Sequence, residues 1–179
     1  MLSSDRLLIK QVDESFANAV LQFYSNNKVT FEPWEPAKPL NFYTLNYQRS
    51  LLTAEQNLTS QGQAIRYFLF EKTKPDKIIG SINFHHILRA PNNSCKLGYK
   101  LAATATHQGY AYEAISFLIP NIMEQFQLQR MEADIMPSNL DSIKLIEKLH
   151  FYNEGICRRS CEINGLREDH IRYSLLKSD

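Results

Sequence analysis

Three stretches of this chain carry residue types that could do chemistry. The first is Thr106-His107-Gln108-Gly109-Tyr110-Ala111, small and polar residues between an alternating apolar segment and a long helical one. The first backbone N–H groups of a helix lack internal partners and sit at the positive end of its dipole. A glycine and small residues beside them let a phosphate come close to the backbone, which is the arrangement that holds a pyrophosphate. The second is Asn139 with Ser142, an amide and a hydroxyl three apart at the head of a helical pattern. By themselves they fit either the solvation of a helix start or a place in a binding site. The third is Phe31-Glu32-Pro33-Trp34-Glu35-Pro36, a proline-stiffened run with two carboxylates and the sole tryptophan. It could hold a cationic amine by charge and cation–π contact, or act as an apolar lid packed into the core.

The elements that must position these residues follow from periodicity. Residues 6–11 form a strand centred on Leu7-Leu8-Ile9, and Asp13 is placed to cap a helix burying Phe16, Val20 and Phe23. Residues 31–39 cannot be regular, with three prolines, and a helix follows over 40–59. Residues 65–71 and 77–87 are strands, with a turn at Lys74-Pro75-Asp76. In the second strand Ile78, Ile82, Phe84 and His86 share one face, so His86 is expected in the core. His85 lies with Ser81 and Asn83 on the other face, where it is either solvated or functional. Cys95–Leu101 alternates, and from Gly109 the period changes to that of a helix expected to kink at Pro120. Residues 130–136 form a strand. Ser138 and Asp141 are spaced as a capping box for a helix whose apolar face is Leu140, Ile143, Ile146 and Leu149. Two strands flank Asn164-Gly165, a strong hairpin signal. The order is mixed α/β of the α+β type, and it excludes a doubly wound sheet.

Composition narrows the field. The 179 residues carry 20 Lys+Arg and 19 Asp+Glu, a net charge of +1, which argues against broad nucleic-acid binding. The length suits a single domain over 1–179. Three cysteines (Cys95, Cys157, Cys161) are unlike a secreted disulfide framework, and no His or carboxylate spacing matches a metal site, so no metal is expected. No apolar run spans a bilayer and the N-terminus lacks a signal-peptide core, so no membrane partner is expected and the cytoplasm is the expected address.

The segment around Gly109 also resembles the GNAT acetyltransferases, whose pyrophosphate turn reads Gln/Arg-x-x-Gly-x-Gly/Ala. Here it aligns with Thr106-His107-Gln108-Gly109-Tyr110-Ala111, followed by Tyr112-Glu113-Ala114. The Gly-Tyr-Ala-x-Glu-Ala form is similar to the branch of ribosomal-protein alanine and serine N-terminal acetyltransferases. So are Arg6-Leu-Leu-Ile, Ile79-Gly80-Ser-Ile, Leu97-Gly-Tyr-Lys-Leu101, Asn139-x-x-Ser142, Glu154-Gly155, Asn164-Gly165 and Asp169-His170, and the Pro-Trp-Glu-Pro run resembles the alanine enzyme. The chain departs from the pattern at Thr106, where a Gln or Arg side chain would touch phosphate, and at His107, a frequent glycine.

The resemblance implies the GNAT fold: a mixed, mostly antiparallel twisted sheet flanked by helices, with a splayed strand pair binding acetyl-CoA as co-substrate. It implies direct attack of an amine on the thioester. The backbone of Tyr99 and Leu101 would bond the pantetheine arm, Asn139 would orient it from the other side, and Ser142 would donate to the leaving sulfur. The pyrophosphate would rest on the turn from Thr106 to Ala111, while Glu113 inside the helix is structural. Glu32, Trp34, Glu35 and His85 are candidates for binding the acceptor. The general base stays open among Glu162, beside the position that is acidic in the serine enzymes, Glu35 and His85. An α-amine has a pKa of about 7.7–8.0, against about 10.4 for lysine, so about a tenth is neutral at pH 7. A chain without an obvious strong base therefore suits an N-terminal amine, of a ribosomal protein or another peptide. A small amine such as a polyamine or antibiotic, and a non-catalytic acyl-CoA-binding domain, are the competing readings, and the expected assembly is a monomer or homodimer.

Overall fold

The computed structural model describes residues 1–178. In chain order its elements are β1 (Leu2–Ser3), β2 (Leu7–Lys10), α1 (Ala17–Asn26), α2 (Lys28–Phe31), α3 (Leu45–Ser60), β3 (Ile65–Glu71), β4 (Lys74–Leu88), β5 (Ser94–Leu101), α4 (Tyr110–Gln125), β6 (Arg130–Ile135), α5 (Leu140–Lys148), β7 (Tyr152–Ile163) and β8 (Leu166–Leu176). Short 3-10 turns lie at Glu14–Phe16, Glu32–Trp34 and Ala103–Ala105. The eight strands form one sheet in the order β1-β2-β3-β4-β5-β6-β8-β7, antiparallel throughout except between β5 and β6. No helix among the described residues is long and apolar enough to cross a membrane.

Strand alternation divides the sheet chemically. One face carries Tyr67, Ile82, Leu97, Tyr99, Met131, Ala133 and Tyr173 and packs against α4 and α5, which contribute Ala114, Ile115, Leu118, Ile122 and Ile146 to the core. The other carries Arg66, Ser81, Asn83, Lys96, Lys100, Glu132, Asp134 and Arg172. Helices α1 and α3 cover the β3–β4 half of this polar face, where the Arg66 guanidinium is held by Tyr24 Oη at 2.9 Å and Glu55 at 3.1 Å. Over the β6–β8 half runs a chain of ion pairs, Lys96–Asp134 (2.5 Å), Arg172–Asp134 (3.0 Å), Arg130–Glu132 (2.8 Å) and Arg130–Glu154 (2.5 Å).

Four local expectations need correction. The third helix begins at Leu45 and not at 40, because Thr44 caps it through a bond accepted from the Tyr47 amide. The turn between β3 and β4 falls at Lys72-Thr73 and not at Lys74-Pro75-Asp76, which open β4 with Lys74 paired to Glu71. Helix α5 is capped by Asn139, whose side chain accepts from the Ser142 amide at 3.2 Å, and not by Ser138; Leu140 is consequently turned outward and 61% exposed. A bulge in β4 between His85 and Leu88 puts His86 at φ +50° and sends its ring to solvent, while Ile87 takes the core position. The hairpin follows expectation, with Asn164 and Gly165 both at positive φ (+50° and +82°) joining β7 to β8. The three cysteines are free.

Candidate active site

The site begins where a ladder ends. Strands β5 and β6 pair over only three residue pairs, Ser94↔Arg130 to Lys96↔Glu132. Beyond them the strands diverge, and a cavity of about 640 Å³ opens in the gap. Its lining includes Leu97, Tyr99 and Leu101, which point toward the helices, and also Gly98 and Lys100, which point to the polar face. The same holds on β6 for Ala133 and Ile135 against Asp134. A cavity touching both sets of an alternating strand crosses the sheet.

On the helical side the opening is bordered by the start of α4 and the start of α5. Gly109 caps α4 at φ +81°, preceded by His107 at φ +59°, so the chain doubles back through left-handed backbone and turns the first amides of α4 outward. This turn is anchored from behind. Glu113 accepts bonds from Ser4 Oγ (2.7 Å), the Arg6 amide (2.8 Å) and Arg6 Nε (2.6 Å), and Arg6 Nη1 donates to the Gln108 carbonyl at 3.0 Å. Burial raises the Glu113 pKa, and the bonds from Ser4 and Arg6 outweigh it, leaving the carboxyl below its ordinary value. Asn27, buried at the end of α1, accepts from the Ala103 amide at 2.9 Å and fixes the 3-10 turn leading out of β5. Across the gap, Tyr99 Oη donates to the Ser142 carbonyl at 3.2 Å, tying the splayed strand to the first turn of α5. Burial pushes the Tyr99 phenol up to about 12.

Of the residues expected at a cofactor site, Tyr99, Leu101, Thr106, His107, Gly109, Ala111, Asn139 and Ser142 line the cavity. Gln108 and Tyr110 do not. Gln108 turns its side chain back to the Thr104 carbonyl, and Tyr110 is buried beneath the Arg6 guanidinium at 4.5 Å.

On the polar side Trp34, 40% exposed, and Glu35 line the cavity. The Glu35 carboxylate is gripped by the Lys100 ammonium and by Lys38 at 2.7 Å. Burial raises its pKa, but the two ammoniums outweigh that, and it lies below the ordinary value. Lys100 Nζ also lies over the rings of Tyr24 and Phe31, at 5.1 and 5.4 Å. Glu32 is outside the lining, where its carboxylate accepts from Tyr43 Oη and its carbonyl accepts from Asn164 Nδ2 at 2.9 Å. That bond joins the proline loop to the β7–β8 hairpin. Glu162 is exposed near the hairpin tip opposite Arg167, away from the cavity. His85 lies behind Gly98, bonded to His86 through Nδ1 at 2.6 Å, and burial with the neighbouring His86 and Lys96 pushes its pKa down to about 4.

The sequence reading missed Asn83, Lys100, Asp134 and His170, all in the lining on the polar side. A period-two pattern assigned Lys100 and Asn83 to a polar face but had no means of showing that this face borders a cavity.

Residues 6–152 match the family described as Acetyltransferase (GNAT) domain. The chain belongs to the GNAT acetyltransferases. It is an N-acetyltransferase of that family, with the GNAT fold. The [Ribosomal protein uS5]-alanine N-acetyltransferase of Escherichia coli (strain K12) is 28% identical over 178 residues, covering 99% of this chain and 91% of the relative. The ribosomal-protein-S5-alanine acetyltransferase of Vibrio fischeri superposes with a TM-score of 0.93 at 26% identity, over 99% of this chain and 97% of that one. The microcin C7 self-immunity acetyltransferase MccE, solved with acetyl-CoA and AMP, superposes at 0.87 with 22% identity, over 96% and 93%. In GNAT terms the gap between β5 and β6 is the splayed strand pair.

Proposed function

We propose that this single domain transfers acetyl from acetyl-CoA to the α-amine at the N-terminus of a protein or peptide, by direct attack. The observation that carries the reading is the cavity that crosses the sheet at the β5–β6 gap, because it gives donor and acceptor separate approaches to one point. The pyrophosphate would take the outward amides at 107–111, and the pantetheine would add itself as a short strand to the free edge of β5 at Tyr99 and Leu101. The Asn139 amide would orient it, and Ser142, on the first turn of α5, would protonate the departing sulfur.

The acceptor would enter past Trp34 and Glu35. Glu35 is already held by Lys100 and Lys38, and its lowered pKa makes it a weak base. A site of this kind favours an amine that is partly neutral at pH 7, which an α-amine is and a lysine is not. The relatives acting on ribosomal protein S5 make a ribosomal N-terminus a natural acceptor to try first, and a bacterial cytoplasmic setting goes with it.

Acetyl-CoA turnover against N-terminal peptides beginning with alanine or serine, polyamines and aminoglycosides tests this, with the acetylated atom assigned by mass spectrometry. α-N-acetylated peptide is the expected product. Faster acetylation of lysine side chains, or of polyamines, would overturn it.

A further inference from the structure

We propose that His170 accepts the proton of the attacking amine. The inference rests on the amine-acetylation reading above and supplies the base that reading lacks. His170 lies on β8, one residue past the Ile135↔Ile171 pair at which β6 ends, and so at the mouth of the gap. It is 6% exposed, yet it lines the cavity. Its ring is fixed at Nδ1, which lies 3.3 Å from the Glu168 carbonyl and 3.1 Å from Ser160 Oγ. With the proton on Nδ1, donated to the Glu168 carbonyl, which can only accept, Nε2 holds the free electron pair. Among the described residues no hydrogen bond engages Nε2. The other groups on this side are committed: Glu35 to Lys100 and Lys38, Asp134 to Lys96 and Arg172. His85 lies outside the lining, bonded to His86.

In the step, the amine nitrogen forms a bond to the thioester carbon and its proton passes to His170 Nε2. The C–S bond breaks with its electron pair on sulfur, which takes a proton through Ser142. Ser142 is replenished from water and His170 returns its proton to water. One proton leaves nitrogen, one reaches sulfur, and the products are the amide and the CoA thiol.

The test uses the whole chain with acetyl-CoA and the best amine from the panel. In H170N and H170A, kcat should fall about 10²–10⁴-fold. The rise in Tm on adding acetyl-CoA should persist, which reports an intact fold and cofactor site. Added imidazole should restore turnover to H170A in a concentration-dependent way, a response that a packing role would not produce. A kcat within a few-fold of wild type in either folded variant, a loss confined to KM, or no rescue by imidazole would overturn the proposal. Absence of turnover by the wild-type chain with every amine would instead sink the acetylation reading itself.

Discussion

Asn139 performs two duties with one side chain. Its Oδ1 caps α5 by accepting from the Ser142 amide, and it faces the cavity. N139A should therefore lose about 1 kcal/mol of stability and roughly 2–4 °C of Tm, and should also weaken acetyl-CoA binding, read by calorimetry on the same sample. S142A separates the duties, since the backbone amide that Asn139 caps is kept. Its expected effect is a fall in kcat of about 10²-fold with the Tm rise on acetyl-CoA unchanged, checked by steady-state kinetics beside thermal shift. Gly109 and the Asn139/Ser142 pair were legible in the sequence because each depends on neighbours within four residues. His170 and Lys100 were not, since what makes them interesting is the distant strand that stops beside them. His86 was misread for the same kind of reason: one extra residue in a bulge reverses every face beyond it.

Among the elements, β4 and β5 pair most tightly at Gly80, opposite Leu101 on the splayed strand. A Cβ on Gly80 would sit 2.5 Å from Leu101 Cδ2 and 2.9 Å from the Lys100 carbonyl, so this strand position admits no side chain. G80A should cost about 1–3 kcal/mol through forced displacement of β5, seen as a lower denaturation midpoint. A second junction holds the helix start: removing the Glu113 carboxylate frees Ser4 Oγ, the Arg6 amide and Arg6 Nε together, leaving Arg6 Nη1 on the Gln108 carbonyl. E113A should lower Tm and shrink the further Tm rise given by acetyl-CoA, measured in one thermal-shift series. Most of the strands and both long helices could be read from periodicity. The divergence of β5 and β6 could not, because each strand alternates normally along its whole length and only the ladder between them stops.

For the molecule as a whole, a net charge of +1 leaves no general field to steer either substrate, and selectivity must come from local groups. Those local groups also set the acid stability. The bonds from Arg130 and Ser174 hold the Glu154 carboxyl at about 2, against an ordinary 4.5, and Asp134, Glu35 and Glu113 are lowered too. A carboxylate with a depressed folded pKa stabilises fully above its unfolded pKa and loses that contribution as pH falls toward the folded one. Tm should begin to fall below about pH 6.5, where the unfolded chain protonates His85 and the folded one, with that pKa pushed down to about 4, does not. It should drop further between about pH 4.5 and 2 as the carboxylates lose their charge, and E154Q should be less stable at neutral pH with a shallower drop at the acid end. Thermal scans across pH check both.

The three-pair ladder between β5 and β6 also has a kinetic consequence. With an opening on each face, neither reactant has to pass the other, and both can be seated before any bond is made. Double-reciprocal plots should then intersect, whereas parallel lines would point to an acetylated enzyme carrying the group between two separate visits. An unreactive CoA analogue should compete with acetyl-CoA but not with the amine, and an unreactive peptide should do the reverse. Products formed at such a two-sided junction can depart by different doors, so a slow release of one need not trap the other.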